Sequence, residues 1–375
     1  MRAVILSHTY IDPAARGKLR ALAGLGCSLS VAVPARWSAT ARGPLLQASW
    51  GNDAGVRIVP IPVKGERGEA GEWKAKDLHR LLSDFRPEIL QIEAEPWTPA
   101  AATASARAHR LGIPTAIFSW ESVNRPYTFL ERWRRNRTLG RARGLIGGNR
   151  LAAGLLSKAR PGVPVTVIPQ TGLMPPLETR RPEHAELAIG FVGRLVPEKG
   201  LDSLFRACVK LHGRWSLTVV GSGPAQEHLE VLAERLGIAS RITWLGALPP
   251  ESLREIWPTL DCLVVPSRST SHWVETYHPA LVEAMGHGVP VIGTDSGALP
   301  DIIGNAALVV PEDDVAALTG VLQHLTDTPR DRIRYGHEAR LRVLAEYVDD
   351  AVARRTLEFW RKVVAGRSET GAGGA

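Results

Sequence analysis

Short β-branched apolar runs alternate with amphipathic helical stretches along almost the entire chain. In the first half the runs "AVILS", "SLSVAVP", "VRIVPIPV", "EILQIEA", "PTAIFSW", "GLIGG" and "VTVIP" predict strands, with helical stretches such as "WTPAAATASARAHRLG" between several of them. The second half repeats the rhythm with "LAIGFVG", "SLTVVGSG", "ITWLG", "CLVVPS", "PVIGTD" and "AALVVP". Runs this apolar suit strands buried on both faces, and their alternation with helices predicts parallel sheets covered on both sides. Between the halves, "QTGLMPPLETRRPEHAE" is rich in proline and charge and poor in periodicity, so it reads as a linker. The predicted α/β architecture is two doubly wound, Rossmann-like domains facing across a cleft. Residues 1–172 form the first, 173–186 the linker and 187–348 the second; a helix over 349–366 packs back toward the first domain, and a small polar tail, 367–375, is expected to be disordered. In open sheets of this kind ligands sit outside the carboxyl ends of the strands, so the strand-to-helix loops are the places to search.

Composition narrows the partners. A chain of 375 residues with 44% hydrophobic and 22% charged residues has the makings of two ordinary globular domains. The apolar run in "MRAVILSH" is too short for a secretory segment and no run approaches membrane-spanning length, which predicts a cytoplasmic protein, at most peripheral at the inner face of the membrane. Cys27, Cys208 and Cys262 are isolated in apolar surroundings, without metal-ligand spacing, and read as buried hydrophobes. The net charge of +8 is compatible with nucleic acid, an anionic membrane surface or a phosphorylated small molecule. Its densest concentration is "ERWRRNRTLGRARG", where Arg132, Arg134, Arg135, Arg137, Arg141 and Arg143 surround Trp133 on a predicted helix. A solvated helix face, a helix lying against anionic lipid headgroups and an RNA contact are the three readings of that stretch. RNA would require bases to stack on aromatic rings, and the stretch offers only Trp133 and Tyr127, so no nucleic-acid partner is expected.

Three loops of the second half are candidates for holding phosphate. "GRLVPEKG" sets Gly193, Arg194 and Lys199 at a strand's carboxyl end, beside the N-terminus of a helix whose apolar face is Leu201, Leu204, Phe205, Cys208 and Leu211. A guanidinium can grip phosphate through two parallel donors, a lysine adds a compact charge, and the helix end favours anions. The competing reading is a surface Arg and Lys near Glu198. "VVGSGP" makes a glycine turn at Gly221 after another strand. In "HWVETYHPALVEAMGHGVPVIG" a short helix begins at Pro279 and stops at Gly286-His287-Gly288; Tyr277 and His278 stand at its mouth, and Ala280 and Leu281 supply its first free N–H groups. His278 is open to two readings, an N-cap or a phosphate contact. Glu275 and Glu283 bracket this helix at a spacing that recurs at Glu178/Glu186 and Glu338/Glu346, so context rather than spacing gives the pair meaning.

The ordered set "GFVGRLVPEKGLDSLFRA", "VVGSGP", "ITWLG", "LVVPSR" and "ETYHPALVEAMGHGVPVIGTDSGALPDIIG" closely resembles the family 4 retaining glycosyltransferases, of GT-B type, over residues 187 to 312. The resemblance implies a nucleotide-diphosphate sugar held by the second domain, an acceptor held by the first, and no metal or other cofactor. By that likeness the catalytic residues are Glu275, facing the transferred sugar, and Arg194 and Lys199, gripping the diphosphate. Glu283 would bind the ribose hydroxyls, and Gly193, Gly221, Leu245, Tyr277, His278, Ala280 and Leu281 would complete the donor side. The implied reaction moves a hexosyl group, with retention, to a hydroxyl of a glycan, polyol or lipid-linked acceptor; a nucleotide-sugar epimerase of the same architecture and a non-catalytic RNA-binding relative are the alternatives. The chain departs from the family's pattern in several places. His278 and Pro279 stand where a glycine and a non-proline are usual, and "DPAARGKL" replaces a glycine pair and brings Arg16 and Lys18 as candidate phosphate contacts. Glu93 in "LQIEAEPW" and Trp120 in "IFSWESVN" stand where histidines are frequent. Glu93 and Glu121 each end a predicted strand, beside Trp97 and Trp120; a carboxylate next to an indole suits a sugar, and this set, with Lys18, is the candidate acceptor site. Two surface acids and two packed tryptophans are the other reading.

Overall fold

The computed structural model describes residues 1–38, 45–65, 71–176, 186–306 and 308–371. The chain divides into two compact units, Met1–Met174 with Tyr347–Ala375, and Pro175–Glu346. The first unit is built on strands β1 (Arg2–Ser7), β2 (Ser28–Pro34), β3 (Gly51–Asp53), β4 (Val56–Ile61), β5 (Ile89–Glu93), β6 (Thr115–Ser119), β7 (Gly144–Gly147) and β8 (Val165–Val167). They form one sheet in the order β8-β7-β6-β5-β1-β2-β4-β3. All neighbours are parallel except β3, which pairs antiparallel with β4. Helices α1 (Gly17–Gly24), α2 (Ala75–Phe85), α3 (Pro99–Arg110), α4 (Phe129–Arg141) and α5 (Arg150–Ala159) make the crossovers.

The expectation of sheets buried on both faces is met residue by residue. Along β1, Ala3 and Ile5 join a core with Leu19, Leu22 and Trp360, while Val4 and Leu6 join another with Leu78, Leu82 and Ala101. Successive side chains leave a strand on opposite sides, so a sheet with helices on each face needs the unbroken apolar run that the sequence shows.

The second unit has strands β9 (Leu187–Val192), β10 (Trp215–Val220), β11 (Ile242–Gly246), β12 (Cys262–Val265), β13 (Val291–Thr294) and β14 (Leu308–Val310). Their order is β11-β10-β9-β12-β13-β14, all parallel. Around them lie α6 (Leu201–Cys208), α7 (Gln226–Arg235), α8 (Pro250–Ile256), α9 (Pro279–Gly286), α10 (Leu299–Ile303), α11 (Val315–Asp327) and α12 (Pro329–Glu346). In each sheet the strand order reverses once, between β1 and β5 and between β9 and β12. Such a switch point opens a crevice at the carboxyl ends, where loops diverge to opposite faces.

The last helix, α13 (Asp349–Gly371), belongs to the first unit. Trp360 on it is fully buried and donates its indole N–H to Gln91 Oε1 at 2.7 Å. Gly144 in β7 is required by the same packing, since a Cβ there would lie 2.4 Å from Val363 of α13. Residues 367–371, expected as tail, continue this helix, while 372–375 lie outside the described residues. Most of the predicted linker, 177–185, also lies outside them. Leu173, its first residue, is tied into the first unit by its N–H to Tyr347 O at 2.9 Å and its carbonyl to Asp349 N at 3.0 Å. Among the described residues no helix is long and apolar enough to cross a membrane.

Trp360→Ala removes a large buried ring and leaves Gln91 without its donor, so it should destabilise the first unit by about 3–5 kcal/mol. Urea unfolding followed by circular dichroism measures this, and a loss below about 1 kcal/mol would show that α13 is not part of that core.

Candidate functional site

In the second unit the loops after β9 and β10 are laced together. Gly193 N–H bonds to Val220 O at 2.9 Å and Leu195 N–H to Ser222 O at 3.0 Å. The approach is so close that a Cβ on Gly221, whose φ is +138°, would stand 1.8 Å from Gly193 O, and one on Gly223 would stand 2.3 Å from Leu195 O. The glycine turn of "VVGSGP" is therefore a requirement of backbone contact. From Leu195 the chain makes a 3-10 turn, Pro197–Lys199, and enters α6 through Gly200, at φ +66°. This turn carries Lys199 inward.

There Lys199 Nζ meets Glu275 Oε2 at 2.5 Å, and Ser267 Oγ donates to the same oxygen at 2.8 Å. Lys199 is 8% and Glu275 4% exposed. The backbone of Glu275 is clamped as well. Its carbonyl accepts from Ala298 N at 2.7 Å, and Gly297 lies so close that a Cβ would come within 2.2 Å of that oxygen. Lys199 Nζ also sits 5.1 Å from the centre of the Trp273 ring. Arg194, by contrast, is exposed and forms no ion pair among the described residues.

At the mouth of α9, His278 is the N-cap. Its Nδ1 accepts from Leu281 N–H at 3.1 Å, which assigns the ring proton to Nε2. The Leu281 N–H, expected to be open to a ligand, is thus taken by the cap; the Ala280 N–H makes no hydrogen bond among the described residues. Burial, with the Lys199 charge adding to it and Glu275 opposing it, lowers the His278 pKa to about 4, so the ring is neutral near pH 7. A Cβ on Gly193 would lie 4.0 Å from His278 Nε2, which places this N–H donor beside the first loop. Glu283, inside α9, is half-buried, and burial raises its carboxyl pKa, with Trp257 and Arg254 partly offsetting the effect. Tyr277 is half-buried just before the cap, and Leu245, 38% exposed, precedes Gly246, the last residue of β11, whose carbonyl accepts from Gly221 N at 2.7 Å.

The candidates in the first unit are bound into the structure to different depths. Lys18 is 1% exposed and donates to Glu93 Oε1 at 2.9 Å. Arg16 is held by the Tyr10 and Ile11 carbonyls and by Asp53, so both basic residues of "DPAARGKL" face inward. Glu93 is the hub of a buried network rather than a surface acid. Besides Lys18 it accepts from Gln91 Nε2 at 2.7 Å, Tyr10 Oη at 3.2 Å and Gln170 Nε2 at 3.0 Å. Burial and the Glu93 charge together push the Tyr10 hydroxyl well above the usual phenol range. Trp120 donates to Gln170 Oε1 at 2.9 Å and packs so tightly on Gly148 that a Cβ there would come within 2.2 Å of its ring. Glu121 holds Arg125 at 3.0 Å and accepts from Tyr127, and the Arg125 guanidinium stacks 4.4 Å from the Trp97 ring centre.

A pocket at the carboxyl ends of β1, β5 and β6 is lined by His8, Glu93, Glu95, Phe118, Trp120 and Gln170. Glu95, Gln170 and His8 escaped sequence reasoning, as did Ser267. Glu95 accepts from Ser119 Oγ at 2.5 Å and from Trp120 N at 2.7 Å. Its position two residues beyond Glu93 in "QIEAEPW" was the available signal, and Gln170 was hidden by its place at the start of the linker-like run. Among the described residues no group of three or more His, Cys, Asp or Glu side chains could hold a metal ion.

Residues 186–328 match the family model for glycosyl transferases group 1. The matched residues lie within the second unit, and the chain as a whole has the two-domain GT-B fold. The chain is 36% identical over 199 residues, 50% of its length, to the 2-deoxystreptamine N-acetyl-D-glucosaminyltransferase of Streptomyces fradiae, a match that spans 45% of that relative. It is 28% identical over 317 residues, 73% of its length and 80% of the relative's, to the 2-deoxystreptamine glucosyltransferase of Streptomyces kanamyceticus. Among solved structures, Anabaena HepE in complex with UDP superposes with a TM-score of 0.71 over 96% of this chain and all of that one, at 13% identity.

His278 supplies a pH test. Its pKa is about 4 when folded, against an ordinary value near 6.5, so the unfolded chain binds the extra proton between those values. Stability is complete above pH 6.5 and falls by roughly 3 kcal/mol as the pH drops toward 4. His278→Asn, which keeps a capping side chain, should flatten that part of the stability profile of the second unit; an unchanged profile would show that His278 titrates freely.

Proposed function

We propose that the chain is a metal-independent, retaining hexosyltransferase that moves a sugar from a nucleoside-diphosphate sugar to a hydroxyl of a polyol or glycan headgroup. The observation that carries this reading is the buried pair of Lys199 and Glu275, in the unit where Arg194 is exposed and α9 opens on the His278 cap. Cleaving a sugar–phosphate bond puts negative charge on the departing diphosphate and oxocarbenium character on the sugar. Arg194, the remaining N–H groups of Lys199, the Nε2–H of His278 and the first turn of α9 all favour the former; the Glu275 carboxylate favours the latter. The likeness to HepE, solved with UDP, supports a nucleotide ligand.

In the proposed reaction the acceptor oxygen bonds to the anomeric carbon on the face that the diphosphate leaves. The C–O bond to phosphate breaks, and the acceptor proton passes to a phosphate oxygen. Glu275, already accepting from Lys199 and Ser267, lies beside the sugar. On the acceptor side, the pocket of His8, Glu95, Trp120 and Gln170 combines a carboxylate and amide with an indole, groups that suit a polyhydroxylated ring. The names of the two Streptomyces relatives, both acting on 2-deoxystreptamine, support a ring polyol of that kind.

Lys199→Met and Arg194→Ala should each weaken nucleoside-diphosphate binding and reduce turnover by about tenfold or more, with EDTA leaving the parent chain unaffected. NMR of the product anomer should show retention. An inverted product, or transfer that depends on an added divalent cation, contradicts the proposal.

A further inference from the structure

Helix α4 presents an unusual face to solvent. Its exposed positions include Phe129 at 85%, Leu130 at 49% and Trp133 at 48%, with Arg132 and Arg137 exposed beside them. These positions follow helical spacing, so they share one side of the helix, while Thr138 and Leu139 are buried. A solvated face would carry polar groups here. This one carries two aromatic rings and a leucine in its first turn and a half, the Arg137 guanidinium lying 5.0 Å from the Trp133 ring centre. The positive field extends beyond the helix: Arg143 follows it, and Arg110 at the end of α3 is close enough to lower the Arg141 pKa, although burial is the larger cause. The one acid on α4, Glu131, is engaged by the Thr128 capping box and by Arg125.

The placement of this face gives it meaning. Residues 120–128 run directly from Trp120, on the wall of the pocket, to the start of α4. That connection is braced by Arg125, which bonds to both Glu121 and Glu131 and stacks 4.6 Å from the Tyr127 ring centre. The apolar end of α4 is therefore held rigidly at the same end of the sheet as the pocket.

We propose that the Phe129–Arg137 face docks on an anionic lipid surface, the rings and Leu130 entering the headgroup boundary while the arginines meet lipid phosphates, so that the pocket receives an acceptor headgroup carried on lipid. Charge complementarity selects this occupant: a second copy of the chain would bring arginines against arginines, whereas an anionic bilayer offers both apolar depth and counter-charge. The lipid-borne acceptor rests on the acceptor reading of the pocket given above; the docking surface does not.

The test is cosedimentation of the full chain with phosphatidylcholine vesicles, with and without phosphatidylglycerol. Vesicles containing phosphatidylglycerol should bind at least about tenfold tighter, and added salt should weaken the binding. Phe129→Ser with Trp133→Ser should lower the affinity by about tenfold or more, and Arg132→Gln with Arg137→Gln should reduce the salt dependence. All four positions are on the surface or nearly so, and an unchanged thermal shift with UDP or GDP confirms that the variants are folded. Failure to sediment with phosphatidylglycerol vesicles at low salt overturns the proposal, as does wild-type binding by the Phe129/Trp133 variant. A dimer in solution that this variant dissolves, or binding of single-stranded RNA that it abolishes in place of vesicle binding, also overturns it. Vesicle binding without sugar transfer leaves the docking surface standing and removes the enzymatic reading; transfer without vesicle binding does the reverse.

Discussion

The candidate site of the second unit is organised around a buried ion pair. Taking an ammonium and a carboxylate out of water costs several kcal/mol per ion, which only close pairing and further hydrogen bonds offset. Lys199 and Glu275 meet at 2.5 Å, and Ser267 supplies the additional bond. Holding that geometry needs Gly200 to turn Lys199 inward past Pro266, Gly297 and Ala298 to clamp the Glu275 carbonyl, and the laced loops at Gly193, Gly221 and Gly223 to fix the ends of β9 and β10. The glycines of the motif are there because backbone passes backbone at these points.

The first unit carries a counterpart. Lys18 follows the first strand of its sheet, as Lys199 follows β9. Its partner Glu93 ends β5, the strand across the switch point from β1, as Glu275 follows β12, the strand across the switch point from β9. The two pairs differ in access. Lys18 and Glu93 side chains are 1% and 0% exposed, those of Lys199 and Glu275 10% and 5%, with the exposed Arg194 nearby. In the first unit the pair lies deeper, with Glu93 at the pocket lining, and the polar groups around it, Gln170 above all, fix Trp120 and the pocket wall. The second pair is the less deeply buried of the two.

Much of this was legible in the sequence. Both sheets could be read from apolar runs, because strands covered on both faces must be apolar at every position. Arg194, Lys199 and His278 stood out because their loops follow strands and open helices, whereas Glu275 took its meaning only from the resemblance of the ordered motifs. The failures share a cause. Whether Lys18 reaches solvent or Glu93 depends on a partner far along the chain, and nothing local distinguishes the two. Arg16 turned inward for the same reason. Leu281 was misjudged because an imidazole at an N-cap can accept the N–H that would otherwise face a ligand, and Ser267 because a lone serine after a strand has no pattern. The antiparallel edge strand β3 was missed because three residues carry too little periodicity to register.

In the proposed reaction Glu275 acts on the sugar and does more than anchor Lys199. Glu275→Gln separates the two roles, since the amide oxygen can still accept from Lys199 while the negative charge is gone. Nucleoside-diphosphate affinity by calorimetry and turnover of the sugar donor, measured on the same variant, decide between them. A role on the sugar predicts affinity within about threefold of the parent and turnover lower by about a hundredfold or more. Affinity and turnover falling by the same factor would contradict it and reduce Glu275 to a support for the lysine.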